Sequence, residues 1–527
     1  MAAPTPGMLR LPTEIRAEIA SYLTSKEDLK ALCLACKDLG HVATQPLYED
    51  MTIGVAALDA TLALQLHPQN PGLRFIRRLR IHEGRYRNQA CVYHHNDHGA
   101  ALGRLLRVLP KDSLQYFQLN TMNDVPLEIT HLLRIRQRNL MNYQTHHLST
   151  NPKADITPDA DDLKHVNSVQ LYIRSKDDCH RANMVLRTVP SVKSLDIVFS
   201  QDTKSLWQPV PDSKAMSRIF GINSVQLNGN VNIHPRNLRL EGVTLLHAAE
   251  DVADAMDFDQ LETLTLEKCH ATHSMFGKLS ESQHKLNNLK AITNIHCRQE
   301  DETDLEFGRL LMSTKGLEVI RVGAGDSTAG DSCSWPAIGR HGQTLKVLYL
   351  NDFESESDLF GTWTCDRGFS DFMEMCKACK KLQQFATWAP LVHERSWKNK
   401  DGFLDFLQCL THLRKLRILR LFVYVGDLIP EGKRMHVITL KFTMQILANK
   451  IFKELSASCP DLVGLVIDAR DKYNDCKRRP VARLGYLRGT TTDACGRREA
   501  VGVPVEPDMI KHHEPCADIL GDDAPLM

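Results

Sequence analysis

What this 527-residue sequence lacks narrows its chemistry before any motif is read. Aromatic residues are scarce, at 6%, and neither sign of charge prevails: 65 Lys and Arg stand against 64 Asp and Glu, a formal net charge of +1. So even a balance excludes whole-molecule attraction to nucleic acid or acidic membranes as the main binding force. Long apolar runs are missing as well. A membrane span needs about 18 nearly uncharged residues, and the richest stretch, Leu416 to Ile429, is cut by Arg417, Arg420 and Asp427. Met1 to Met8 holds Pro and Gly where an export signal needs a basic start and an apolar core, so none is expected there. Catalytic signatures are absent too: no G-x-x-x-x-G-K-[ST] loop, no G-x-S-x-G elbow and no H-E-x-x-H pair.

What remains is ordinary folded-protein material. Hydrophobic residues make up 43%, too many for a wholly disordered chain. The length allows roughly three or four domain equivalents, or one domain and a long repeat array. The 15 cysteines are odd in number and follow no disulfide rhythm. They read as reduced thiols of a cytoplasmic or nuclear protein.

The segment Leu11 to Tyr48 is helical by its local signs. Pro12 sits where a proline can open a helix, and Ile15, Ile19, Tyr22 and Leu23 follow the i, i+4, i+7, i+8 spacing of one apolar face. Ser25 with Asp28 is a variant capping box. Leu29, Leu32, Cys33, Cys36 and Leu39 mark a second face, and Pro46 is expected to open a short third turn. Three short helices bury little surface, so such a unit calls for a neighbour.

In order and spacing, Leu11-Pro12-Thr13-Glu14-Ile15, Ile19, Tyr22-Leu23, Asp28-Leu29, Leu32, Cys36-Lys37-Asp38 and Pro46-Leu47-Tyr48 resemble an F-box. The likeness covers about a tenth of the chain. It departs from the family pattern at Leu39, where an aromatic residue is usual. The resemblance implies docking on a Skp-family adaptor, and through it on the cullin and RING subunits of a ubiquitin ligase. The implied adaptor-binding residues are Leu11, Pro12, Ile15, Ile19, Leu23, Leu29 and Leu32. Amphipathic helices that cannot bury themselves agree with that expectation.

Beyond this segment the pattern L-x-x-L-x-L, with other aliphatics allowed, recurs. Its cleanest copy is Leu261, Leu264 and Leu266, followed by Cys269 where leucine-rich repeats place Asn or Cys. Copies also begin at Ile76, Leu114, Val166, Val192, Leu317, Leu345, Leu416 and Leu462, with weaker ones at Ile222, Leu289 and Leu382. Leu261, Leu289, Leu317 and Leu345 are each about 28 residues apart, within the leucine-rich range. Between two copies, Thr303-Asp304-Leu305-Glu306 reads as a helix start, and Gly316 is placed to end that helix. The expected fold is therefore α/β: an N-terminal three-helix unit, then a curved solenoid with a parallel sheet inside and helices outside. An F-box joined to such a solenoid resembles the F-box/leucine-rich-repeat class of ligase receptors.

Strand alternation sends the residues between the repeat aliphatics to the inner wall. Thr263 and Thr265, and with them the candidate substrate-binding residues Arg321, Tyr349, Asn351, Trp388, Arg420 and Phe422, would line it. Several of these types are enriched at binding hot spots. Cys91, His94, His95 and His98 cluster without the paired spacing of a zinc site, and the C-x-x-C pairs Cys33/Cys36 and Cys376/Cys379 read as buried apolar residues. No cofactor or metal is expected.

The expected layout is a flexible N-terminus over residues 1–8, an F-box over 9–52, repeats with irregular insertions over 70–470, and a largely disordered tail over 471–527. That tail includes the basic Lys477-Arg478-Arg479-Pro480 and ends in the acidic Asp522-Asp523-Ala524-Pro525. The functional expectation is a non-catalytic substrate-recognition subunit. A protein-binding scaffold that pairs with the adaptor alone is the alternative.

Overall fold

The computed structural model describes residues 11–520, apart from 24, 55–60, 62–65, 83–96, 121–126, 146–165, 174–175, 190, 200–213, 223–232, 282–285, 296–300, 324–334, 352–365, 390–401, 425–436, 471–481 and 514–517. It divides into two compact units: unit 1 is Met1–Pro235 with Asp254–Met256, and unit 2 is Arg236–Ala253 with Asp257–Met527.

Unit 1 opens with three helices, α1 (Thr13–Ser21), α2 (Lys26–Ala35) and α3 (Lys37–Glu49). The Arg16 amide bonds to the Pro12 carbonyl, so the proline does open α1. The Ser25 hydroxyl accepts from the Asp28 amide at 3.3 Å, capping α2. Gly40 of α3 lies against the Cys33 carbonyl so closely that a Cβ would come within 2.9 Å of it. That contact lets α2 and α3 pack backbone to backbone. The expected short third turn is corrected: α3 runs unbroken to Glu49 with Pro46 inside it, in its last turn, where a proline deprives the helix of only one bond. The Asn70 amide group donates to the Tyr48 hydroxyl at 2.9 Å, tying α3 to the chain that follows.

From α3 the backbone passes directly into β1 (Asp50–Gly54), then β2 (Arg78–His82), α4 (Asp97–Val108), β3 (Tyr116–Asn120), α5 (Leu127–Arg136), β4 (Asn142–Thr145), β5 (Ser168–Ile173), α6 (Lys176–Thr188), β6 (Ser194–Phe199) and α7 (Ala215–Phe220). The strands pair in parallel and in sequence order, from Asp50↔Arg78 through to Ser168↔Ser194. Their alternate residues Leu79, Ile81, Phe117, Leu119, Val169, Leu171, Leu195 and Ile197 are buried.

Unit 2 continues the pattern with β7 (Asn237–Glu241), α8 (Ala248–Ala255), β8 (Thr263–Glu267), α9 (Thr272–Glu281), β9 (Ala291–Ile295), α10 (Asp301–Ser313), β10 (Val319–Gly323), α11 (Trp335–Gly339), β11 (Val347–Asn351), α12 (Asp366–Ala378), β12 (Gln384–Trp388), α13 (Gly402–Leu410), β13 (Ile418–Tyr424), α14 (Val437–Leu455) and β14 (Gly464–Arg470). Again every pairing from β7 to β14 is parallel. The repeat leucines are fully buried, and the helices pack on their side of the sheet: the Phe372 ring of α12 lies 6.1 Å from Phe385 of β12 and 5.6 Å from Phe406 of α13. Gly316 takes φ +80° just beyond α10, as the end of that helix requires. Both units are stacks of strand–helix repeats of the leucine-rich kind.

The repeats explain a charge pattern that no single copy reveals. The residue just before each strand bonds through its amide to its counterpart one repeat back, as Glu262 does to Arg236, Lys290 to Glu262, Glu318 to Lys290 and Lys346 to Glu318. Along this column the charges alternate. Lys290 pairs with Glu262 at 3.0 Å and Lys346 with Glu318 at 2.7 Å.

The chain past residue 470 needs the largest correction. β15 (Ala482–Thr492) and β16 (Arg498–Val505) add to β14 as antiparallel strands, followed by α15 (Pro507–His513) and a 3-10 turn over Asp518–Leu520. A largely disordered tail is not what these residues form. The basic 477–480 and acidic 522–525 stretches, residues 1–8, and Cys91, His94 and His95 lie outside the described residues, as does the side chain of His98. Among the described residues no group of three or more His, Cys, Asp or Glu could hold a metal ion, and no helix is long and apolar enough to cross a membrane.

Candidate functional site

Two surfaces gather the residues singled out in the sequence. The first is the three-helix segment. Its interior is made by Ala20 of α1, Leu29 of α2, and Leu39, Val42 and Ala43 of α3. Leu39 is part of that interior, at 8% exposure. With Ala20 turned inward, the larger apolar side chains of α1 point away. Leu11, Ile15 and Ile19 are 37%, 43% and 38% exposed, Pro12 is exposed, and Leu23 and Leu32 are half-buried. Leu29 is the correction: at 3% exposure it belongs to the segment's own core and offers nothing to a partner. Tyr22 and Leu34, at 75% and 86%, are more exposed than Leu11, Ile15 or Ile19. Their exposure follows from the helix phases, Tyr22 continuing the Ile15–Ile19 face one turn on. Leu34 lies five residues from buried Leu29, which at 100° per residue turns it to the opposite side of α2.

The second surface is the front face of the sheet in unit 2, the face away from the repeat helices. Its composition drifts along the stack. Registered on β7 and β8 are Asn237, Arg239 and Glu241 with Thr263, Thr265 and Glu267. Arg239 there bridges Glu241 and Glu267, both at 2.7 Å, and Lys268 joins Glu241 at 2.7 Å. Thr293 and Arg321 continue the middle row on β9 and β10. From β11 onward the face turns apolar and aromatic, through Val347, Tyr349, Ala386, Trp388, Ile418, Phe422 and Val466.

That apolar end is not open. The C-terminal elements cover it: Ile510 of α15 and Ile519 and Leu520 of the 3-10 turn join the same buried cluster. Trp388 and Tyr349 are 8% exposed, Arg420 1% and Phe422 0%. The expectation that these four line an open surface is corrected: the chain's own C-terminal elements cover them. Only Arg321 and Asn351 of the six stay half-exposed. Tyr349 and Trp388 instead pack on Phe422 with ring centroids 5.9 Å and 5.4 Å away.

Arg420 is the centre of this closed region. Its Nε and Nη2 donate to Oδ2 of Asp468 at 2.9 and 2.6 Å, its guanidinium lies over the Phe422 ring at 5.1 Å, and its Nη1 donates to the Ile519 carbonyl at 2.7 Å. Arg483 of β15 donates to the other Asp468 oxygen at 2.8 Å. A charge pair taken out of water holds only when hydrogen bonds satisfy its remaining atoms, and here strands β13, β14 and β15 and the final turn all contribute one.

The front face in unit 1 is mainly polar among the described residues: Asp50 pairs with Arg80 at 3.1 Å, and Tyr116 donates to Gln118 at 3.1 Å, with Val198 of β6 opposite Tyr172 an apolar exception. Burial raises the Tyr116 hydroxyl above its ordinary value against the pull of Arg80.

The buried cysteines among the described residues are packed into the core. Cys269 follows the cleanest repeat, and its thiol donates to the Leu240 carbonyl at 3.3 Å; burial pushes it up to about 12. Cys376 and Cys379 are buried as expected, whereas Cys33 and Cys36 are half-buried.

No family model matches the sequence, and no curated protein matches it. Among solved structures the chain is similar to one in the crystal structure of a Rad7 and Elc1 complex in yeast, at a TM-score of 0.37 and 11% identity over 87% of this chain and 88% of that one. So loose an overlap leaves function to the residues themselves.

Proposed function

We propose that this chain is a non-catalytic substrate-recognition subunit, which binds a Skp-family adaptor through α1–α3 and holds a target protein on its repeat stack. Through the adaptor it would join cullin and RING subunits of a ubiquitin ligase, in the cytosol or nucleus. The observation that carries the reading is the apolar face of α1, turned outward at Leu11, Ile15, Ile19 and Tyr22 while the segment's core is complete without them. An exposed apolar helix face beside an already packed interior suits a helix-in-groove partner, and the order of residues from Leu11 to Tyr48 supports which one. Target binding falls to the polar front faces, where Arg239, Arg321 and Asn351 stand, and the contribution to reaction rate is proximity of the target lysine to the charged ubiquitin carrier.

Replacing Leu11, Pro12 and Ile15 together by alanine tests the proposal. Adaptor co-purification is expected to be lost while the far-ultraviolet circular dichroism stays unchanged; undiminished adaptor recovery sinks it. A pull-down that brings adaptor but never cullin would favour the scaffold instead.

A further inference from the structure

The turn at Asp518–Leu520 is held as a bound peptide is held. The Ile519 amide donates to Oε1 of Gln384 on β12 at 3.1 Å, and the Ile519 carbonyl accepts from Nη1 of Arg420 on β13 at 2.7 Å. Both backbone groups of one residue are thus read by side chains 135 and 99 positions away in sequence. The side chains of Ile519 and Leu520 enter the cluster formed by Val347, Tyr349, Ala386, Trp388 and Phe422. Asp468, itself bonded by Arg483, engages Nε and Nη2 of Arg420, and Nη1 takes the carbonyl of the docked residue.

We propose that the β11–β13 end of the front face is a receptor for a short segment carrying two adjacent branched aliphatic residues, that Ile519-Leu520 is its resident occupant, and that a target protein presenting such a pair competes for the place. This rests on the reading of the chain as a recognition subunit and adds, beside the polar front faces, a second place for the target and the class of segment it takes. Everything specific in the contact is short-range: one amide, one carbonyl and two aliphatic side chains, requirements that a peptide from another chain meets as well as residues 519 and 520 do. Binding in cis holds the site closed, and a competitor's apparent affinity falls by the fraction of molecules in which the turn is docked.

The test uses the full chain and a fluorescent peptide copying residues 514–524 with Cys516→Ser, followed by fluorescence anisotropy. The double variant Ile519→Ser, Leu520→Ser is expected to bind the peptide about tenfold tighter than the unaltered chain, because its own turn no longer competes. Adding Gln384→Ala to that variant should weaken binding severalfold, since the amide partner is gone, and a peptide with Ile519→Asp should bind neither chain. Equal affinity for both chains, or no binding to the released chain, overturns the proposal. Should the double variant fail to fold, hydrogen exchange on the unaltered chain decides: excess peptide is expected to speed exchange of the Ile519 amide and leave the repeats unchanged, and no change overturns it. None of these measurements involves the adaptor, so failure here is distinct from failure of the F-box reading.

Discussion

Two apolar surfaces of this protein meet opposite ends. The outward face of α1 keeps Leu11, Ile15, Ile19 and Tyr22 in contact with solvent, whereas the β11–β13 front face, richer still in large side chains, is covered by the chain's own Ile510, Ile519 and Leu520. Both were expected to be binding surfaces. The difference teaches that apolar character at a predicted surface position identifies a place that wants a partner, without telling whether that partner is another molecule or a later part of the same chain.

The largest effect that can break the comparison lies at the buried ion pair. With Arg420 and Asp468 at 1% and 0% exposure, Asp468→Ala leaves the guanidinium buried without its counter-charge. We expect a loss of about 3–5 kcal/mol in urea unfolding; a loss below 1 kcal/mol would mean that the cover does not seal. Next comes a matched pair of aromatic truncations. Phe422→Ala should cost about 3–5 kcal/mol through the cavity it leaves, while Tyr22→Ala should change stability by at most ~0.5 kcal/mol. Equal costs would erase the distinction between covered and uncovered.

A subtler contrast is electrostatic. His341 is buried, its Nε2 bonded to the Leu311 carbonyl at 3.0 Å and its Nδ1 accepting from the Leu317 amide at 3.4 Å. Burial, aided by Arg340, lowers its value below the ordinary 6.5, against the Leu311 bond. Below about pH 6.5 the unfolded chain takes up a proton that the folded chain resists, so stability falls with pH there and His341→Gln flattens that part of the profile. Urea titrations of both chains between pH 5 and 8 check it.

The mildest probe is thiol labelling. Among the described cysteines, exposed Cys495 should be alkylated first and half-buried Cys33 and Cys36 next. Cys179, Cys269, Cys376, Cys379, Cys409 and Cys459 should react only on unfolding, because burial removes access and pushes Cys379 to about 12 and Cys409 and Cys459 to about 11, away from the reactive thiolate. Peptide mass spectrometry gives the order, and early modification of Cys459 would place an opening beside β14.

How much of this was legible depended on whether a signal repeats. The copies at Leu261, Leu289, Leu317, Leu345, Leu382, Leu416 and Leu462 each lead into a strand, from β8 to β14, because the L-x-x-L-x-L spacing carries strand and burial together. β1, β4 and β7 escaped: Met51 and Ile53, or Leu238 and Leu240, show the alternation but lack the full triplet. The Ile222 copy was expected where β7, at Asn237–Glu241, is the next described strand. The terminal hairpin had a signal too, in the alternating Val501, Val503 and Val505 after the Asp493–Gly496 turn, where the Asp493 carboxylate accepts from the Cys495 and Arg497 amides, each at 2.8 Å. It was hidden by the glycines, proline and charges around it, which resemble a solvated tail when counted instead of phased.

By itself the sequence determined the local alphabet: helices opened at Pro12 and capped at Ser25, strands at the repeat leucines, and two alternating sets of residues on each strand. Those follow from backbone geometry and spacing, which act over a few residues. Only tertiary structure decided that Leu29 turns inward, that Arg420 finds Asp468 48 positions on, and that Ile519 closes over Phe422. Such pairings are set by where distant segments meet and by the free energy of removing their apolar surface and charges from water, and no short stretch of sequence contains both sides of that contact.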